Sequence, residues 1–390
     1  MRTFIAMRRP AIIILFLIKS LLFGQQVFNI DSIYHSYFIK LKKGDTLESK
    51  NQLELMRAAS SEKTGKFYFY MAKADYSLFK NEKENAFINC IDAYNLAGEL
   101  KNDSLLFKAN YKTGQMYLDN DDLVNALRYF NRALLLFNSE KNISDRMYLY
   151  RDIALVYSYL DKNEQAIEYF LKMEPLIKQL GNKKFLANTY NNLGINYVDL
   201  KDYAKALQYY RNSLAIRLEI QDEHGVAQIN NNLGSLYYEW RQYDLALDYF
   251  LKGSELRKKA NVPVSGLIES DINIGKTCYK LNQTKKALHF LEKARVAAIN
   301  INHIELERRA DGELITIYKE LGNYKKLSEL QVRFYLLKDS LYGLNKKEEI
   351  GRLSFENKLK QDSLLHAESQ RKETAVFEEK QKRADLIRNI

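Results

Sequence analysis

The chain has 390 residues, 46% of them apolar, with only 3 Pro and 16 Gly but 28 Tyr and 19 Phe. It is long for one compact domain, and the scarcity of Pro and Gly favours helices almost throughout, with a core built from large rings. The formal charge of +11 carries little once mapped: Arg2, Arg8, Arg9 and Lys19 stand in the first 24 residues without an acid, and the remaining +7 is interleaved with acids. No basic block tracks a phosphate backbone, so nucleic acid is not expected as a partner.

In chain order, MRTFIAMRRP is a basic start, AIIILFLI an apolar run too short to span a bilayer comfortably, and Gly24 a small residue at a cleavage point. Residues 1–24 therefore read as a signal peptide, and the rest as exported and periplasmic. Membrane association is expected only if the signal stays uncleaved or a span follows residue 390. Residues 25–66 hold two helical stretches, DSIYHSYFIKL and TLESKNQLELMRAA, which cap the array that follows or are a decayed repeat. Cys90 and Cys278 fall at positions that pack inside, which points to two buried thiols rather than a disulfide.

From residue 67 to 345 the chain repeats. NNLGINYVDLKDYAKALQYY (191–210) recurs as NNLGSLYYEWRQYDLALDYF (231–250). A small residue followed by a second one twelve places later marks where two helices of a hairpin approach. That spacing finds Ala74 with Ala86, Gly114 with Ala126, Ala154 with Ala166, Gly194 with Ala206, Gly234 with Ala246 and Gly275 with Ala287. Ile315 with Leu327 is a degraded seventh copy. A period of about 40 residues results. Tyr117, Tyr157, Tyr197, Tyr237 and Tyr318 follow the small residue by three, and Phe130, Phe170, Tyr210, Phe250 and Leu291 follow the Ala by four, one face of each helix. A lone hairpin leaves apolar rows on both flanks, and covering one ring contributes about 1.5–3 kcal/mol, so stability accumulates by stacking.

Leu-Gly-x-x-Tyr followed by Ala and an aromatic four later, as in Leu193, Gly194, Tyr197, Ala206 and Tyr210, resembles the tetratricopeptide repeat, lengthened from its usual 34 residues. The resemblance implies an all-α, right-handed superhelical solenoid of seven hairpins, whose first helix in each hairpin lines a concave groove. It further implies that Asn at a fixed phase of that helix reaches into the groove. Asn192, Asn232 and Asn273 stand two places before the small residue, with Asn191 and Asn231 beside two of them. A carboxamide both donates and accepts, so such a row holds the backbone of a bound peptide or protein segment; alternatively it only solvates or caps the helix. The clamp for a terminal carboxylate needs Asn directly after the small residue, where this chain has Gln115, Ile195, Ser235 and Lys276.

The five histidines have no metal-ligand spacing, and no phosphate loop or nucleophile elbow is present. No cofactor and no catalysis are expected. Residues 346–390 mix basic and acidic residues densely and read as a long charged helix, intermittently coiled-coil and able to take a helix partner. An exported array with this tail resembles the sensory half of Bacteroidetes-type membrane signalling proteins such as sensor histidine kinases. The expected role is a non-catalytic peptide-binding module of signal transduction. A free-standing periplasmic or outer-membrane scaffold, and a truncated sensor kinase or cyclase, are the alternatives.

Overall fold

A computed structural model describes residues 30–341 and 343, apart from 59, 61, 137–142 and 261. The segments read as signal peptide (1–24) and charged tail (346–390) lie outside the described residues. Every regular element among the described residues is a helix. Before the repeats come α1 (Ile30–Lys42) and α2 (Thr46–Ala58). The hairpins follow as α3 (Lys63–Phe79) with α4 (Lys83–Glu99), α5 (Asp103–Asp119) with α6 (Leu123–Leu135), and α7 (Ile143–Tyr159) with α8 (Asn163–Leu180). Next are α9 (Lys183–Asp199) with α10 (Tyr203–Glu219), α11 (Glu223–Glu239) with α12 (Tyr243–Lys259), and α13 (Val264–Lys280) with α14 (Thr284–Asn300). The seventh pairs α15 (Ile304–Glu320) with α16 (324–341). The chain divides into two compact units, Met1–Asp119 with Val124–Asn138, and Asn120–Leu123 with Ser139–Ile390.

The half-repeat is the true structural period. Asn81, Lys101, Asp121, Asp161, Lys201, Gln221, Arg241, Asn282 and Asn302 all have positive φ, and Gly181 and Gly322 take the same place. Each ends one helix. After α9, for example, the Lys201 N–H donates to the Val198 carbonyl (2.8 Å) and the Asp202 N–H to the Tyr197 carbonyl (2.9 Å), the paired bonds of a Schellman stop. Asp202 then starts α10 by accepting the Lys205 N–H at 3.1 Å, as Asp222 starts α11 through the Gly225 N–H. Three residues thus stop one helix and cap the next.

A side chain in the left-handed region costs roughly 1–2 kcal/mol, against an entropic cost of about 0.5–1 for glycine. Lys201→Gly, at an exposed site, is therefore expected to raise stability by about 0.5–1 kcal/mol. A urea midpoint that rises with unchanged slope would show it.

Packing inside each hairpin refines the small-residue rule. A Cβ added at Gly194 would lie 2.4 Å from the Tyr210 ring, at Gly234 2.6 Å from Phe250, at Gly114 2.6 Å from Phe130, and at Gly275 2.7 Å from Leu291. The small residue makes room for the large side chain sixteen places on, not merely for the approach of the Ala twelve on. On the other side of the interface, rings stack within the hairpin: Tyr117 on Tyr129, Tyr157 on Tyr169, Tyr197 on Tyr209 and Tyr237 on Tyr249, at 5.3–5.7 Å between centroids. Cys90 and Cys278 are both buried and unpaired; burial pushes the Cys90 thiol up to about 12.

Candidate functional site

In the second unit the A helices of successive repeats, α9, α11, α13 and α15, touch one another directly. Among the described residues, the B helices of repeats three to six make no comparable contact with each other. A stack closer on one side than the other curves toward that side, so the A helices line its inner face. On α9 that face carries Asn188, Asn192, Ile195 and Asp199, spaced by four, three and four residues, all exposed or half-buried. The same repeat positions hold Gln228, Asn232, Ser235 and Glu239 on α11, and Glu269, Asn273, Lys276 and Lys280 on α13.

All five asparagines singled out in the sequence come together in one row across repeats four to six. Asn191 and Asn231 are buried, whereas Asn192, Asn232 and Asn273 are half-buried. The Asn191 Nδ2 donates to Asn192 Oδ1 (3.4 Å), Asn232 Nδ2 to Asn191 Oδ1 (2.7 Å), and Asn273 Nδ2 to Asn231 Oδ1 (3.4 Å). The buried member of each pair is thus the acceptor for the next repeat. Pairing Asn with Asn across the interface answers why a poor helix former sits mid-helix at this phase. It leaves the side-chain Oδ1 of Asn232 and of Asn273 and the Asn192 Nδ2 without a hydrogen bond among the described residues. Asn196, not singled out from sequence, extends the row to repeat three by accepting the Ser158 hydroxyl at 2.9 Å.

Beside Asn273 a hollow opens, lined by Ser235, Tyr238, Glu239, Phe250, Asn273 and Lys276. The Lys276 ammonium lies 4.1 Å above the Tyr238 ring. Burial, and then the neighbouring Glu313, Tyr243 and Glu239, raise the Tyr238 phenol well above its ordinary value. One repeat on, a hydrogen bond to Glu320 pushes Tyr279 up to about 12. The hollow therefore offers the Lys276 ammonium, the Asn273 carboxamide and the hydroxyls of Ser235 and Tyr238 beside the Glu239 carboxylate.

A second feature escaped the sequence reading. Arg217, near the end of α10, is 3% exposed; it donates to Asp222 Oδ2 (2.6 Å), Asn188 Oδ1 (2.7 Å) and Ser213 Oγ (3.3 Å). Its guanidinium fills the space where a side chain on Gly225 would go, Nη1 lying 1.8 Å from the Cβ position. Arg257 lies beside Gly266 in the next repeat without filling its side-chain space, and donates to the Gly266 carbonyl and to Ser270 Oγ. An arginine followed eight or nine residues later by glycine, in two consecutive repeats, is the signal that could have found it.

Hairpins packed ring against small residue, with their A helices inside, define an array of tetratricopeptide-like repeats. A tetratricopeptide repeat family model matches residues 185–259, within repeats four and five. No curated protein sequence matches the chain. Among solved structures, the chain is similar to the apo form of RapI (TM-score 0.64, 20% identity, covering 86% of this chain and 94% of that one). It is also similar to aspartyl phosphate phosphatase F from Bacillus subtilis (TM-score 0.58, 16% identity, 82% and 87% covered). A third is NprR in complex with its cognate peptide NprX (TM-score 0.54, 15% identity, 84% and 100% covered). At these identities the likeness is one of fold. No helix among the described residues is long and apolar enough to cross a membrane.

Proposed function

We propose that the chain is a non-catalytic module that binds a peptide or protein segment on the inner face of repeats four to six. The observation that carries this reading is the asparagine row, whose Asn232 and Asn273 oxygens and Asn192 nitrogen stay open on the face where the A helices converge. One open donor and two open acceptors in a row suit a peptide backbone, which presents both N–H and C=O groups along its length. The solved complex of NprR with NprX offers a precedent for a bound peptide in a similar fold. The basic and then apolar order of residues 1–24 supports placing this module outside the cytoplasm. A sensory role there would work by population shift, a ligand that favours one curvature of the stack moving the elements attached to it.

The test is the triple variant Asn192→Ala, Asn232→Ala, Asn273→Ala, measured against an arrayed library of short peptides. Binding is expected to fall at least tenfold while circular dichroism keeps its helical signal. Because Asn191 and Asn231 lose their partners, a stability loss of about 1 kcal/mol per bond accompanies it. Unchanged affinity in a folded triple variant would remove the groove from consideration.

A second reading is a scaffold that holds its partner through the last helix, favoured by Val332, Tyr335 and Leu336, which are 56–60% exposed on α16. Val332→Lys with Leu336→Lys separates the two: a scaffold loses its partner, a groove binder keeps its peptide.

A further inference from the structure

The inner-face positions that lie open in repeats four to six are covered in repeats one and two by the chain's own helix α1. Six places before the small residue, where α9 has exposed Asn188, repeat one has Tyr68 and repeat two has Lys108. Two places before it, where Asn192, Asn232 and Asn273 stand, are Ala72 and Lys112; directly after the repeat-one small residue is Asp75. Helix α1 touches every one of these. The Tyr37 hydroxyl donates to the Ala72 carbonyl (2.8 Å) and the Tyr34 hydroxyl to Asp75 Oδ2 (2.7 Å). The Lys108 ammonium donates to Asp31 Oδ1 (2.5 Å) and to the Tyr68 hydroxyl (3.0 Å). Lys112, ion-paired with Asp75, also sits over the Phe38 ring at 5.5 Å, and the Tyr34 and Tyr68 rings meet at 5.6 Å.

Helices α1 and α2 stack on α3 ahead of the first repeat, but the direct contacts of α1 extend beyond it. In the regular array Asn191 and Asn232 join adjacent A helices, whereas α1 reaches A helices of both repeat one and repeat two, from Asp31 to Lys108 and from Phe38 to Lys112. It lies across the face, as a ligand would. Its hold is also modest: α1 has 13 residues and fully buries only Tyr37 and Leu41, while α3 and α5 each bury eight residues. What it does supply is specific. The buried Asp75–Lys112 pair needs a hydroxyl donor above it, and Lys108 needs a carboxylate, so an occupant must present an acid and phenols one helical turn apart, as Asp31, Tyr34 and Tyr37 do.

We propose that the A-helix face of repeats one and two, equivalent in repeat position to the inner face of repeats four to six, is a binding site for an amphipathic helix bearing an acid and two phenols, filled in this chain by α1, and that a partner helix of the same chemistry displaces α1. The site uses none of the asparagine row, so its failure and the failure of peptide binding in repeats four to six are separately visible.

Hydrogen exchange on the unaltered chain tests the displacement. Amides of 30–42 are expected to exchange at least tenfold faster than those of 63–79 and 103–119; exchange of all three in step makes α1 an integral part of the fold and overturns the proposal. A fluorescent peptide of residues 30–44 then serves as the probe. It is expected to bind the full chain and to speed exchange of 30–42, an Asp31→Lys peptide is expected to bind at least tenfold more weakly, and the Lys108→Glu chain is expected to restore its binding. No binding of the first peptide at millimolar concentration, or binding that Lys108→Glu leaves unaltered, overturns it.

Discussion

Replacing Arg217 with methionine is expected to cost about 3 kcal/mol, one of the larger losses that a single substitution in the second unit can produce. The guanidinium is 3% exposed and spends its donors on Asp222, Asn188 and Ser213. Removing one side of a buried ion pair costs roughly 3–5 kcal/mol because the other side is left uncompensated. The lower end applies, since Asp222 is 14% exposed and keeps its bond to the Gly225 N–H. Methionine replaces only the aliphatic part of the side chain and stops short of the guanidinium that occupies the space beside Gly225, so part of the loss comes from the void left there. Arg217→Lys recovers only part, because an ammonium cannot reach three acceptors from one fixed plane. Urea titration of the three proteins checks the order wild type, lysine, methionine.

The same network sets an acid limb. Burial alone would raise the Asp222 carboxyl; the Gly225 N–H, Arg217 and Lys184 outweigh it and hold the group below its ordinary 3.8. A carboxyl with a lowered folded value contributes stability that is present above the unfolded value and is lost as pH falls through the folded one. Stability should therefore decline below about pH 4, and the decline should be shallower in Arg217→Met, where part of the lowering is already gone.

These residues also show what the sequence conveys and what it withholds. Spacing of small residues and rings reveals hairpins because each repeat must bury the same face, and the requirement writes itself as a period of about 40. Six of the eleven left-handed stops are hidden, because the usual signs are Gly and Asn, and Lys101, Asp121, Asp161, Lys201, Gln221 and Arg241 take the position there. Their conformation is forced by the 6→1 bond and by the cap that follows, not by their own preference. The asparagines are visible as a pattern, but a single repeat cannot show that Asn232 bonds Asn191; that contact spans 41 residues. The reach of α1 over Lys108 and Lys112 is hidden for the same reason, since nothing local in IDSIYHSYFIKLK distinguishes a cap from an occupant.

Gly194→Val is the sharpest test of the packing rule that repeats two, four, five and six share. An added Cβ at this site lies 2.4–2.5 Å from two carbons of the Tyr210 ring, a separation no pair of carbons sustains without movement. Tyr210 is 2% exposed and cannot swing to solvent. The ring must shift or α9 and α10 must separate, and overpacking of this kind costs about 1–3 kcal/mol. Valine adds a second branch beyond the Cβ, so the expected loss is near 3 kcal/mol, and for Gly194→Ala near 1. Repeats one and three already set the scale for alanine, with Ala74 before Cys90 and Ala154 packed in one core with Phe170. If size is the cause, shrinking the ring must repair it: Gly194→Val combined with Tyr210→Leu is expected to be more stable than Gly194→Val alone, although Tyr210→Leu by itself destabilises. A double-mutant cycle followed by thermal unfolding measures that coupling, expected at about 1–2 kcal/mol for residues in direct contact. Additivity of the two substitutions would show that the glycine is kept for its backbone rather than for the ring it admits.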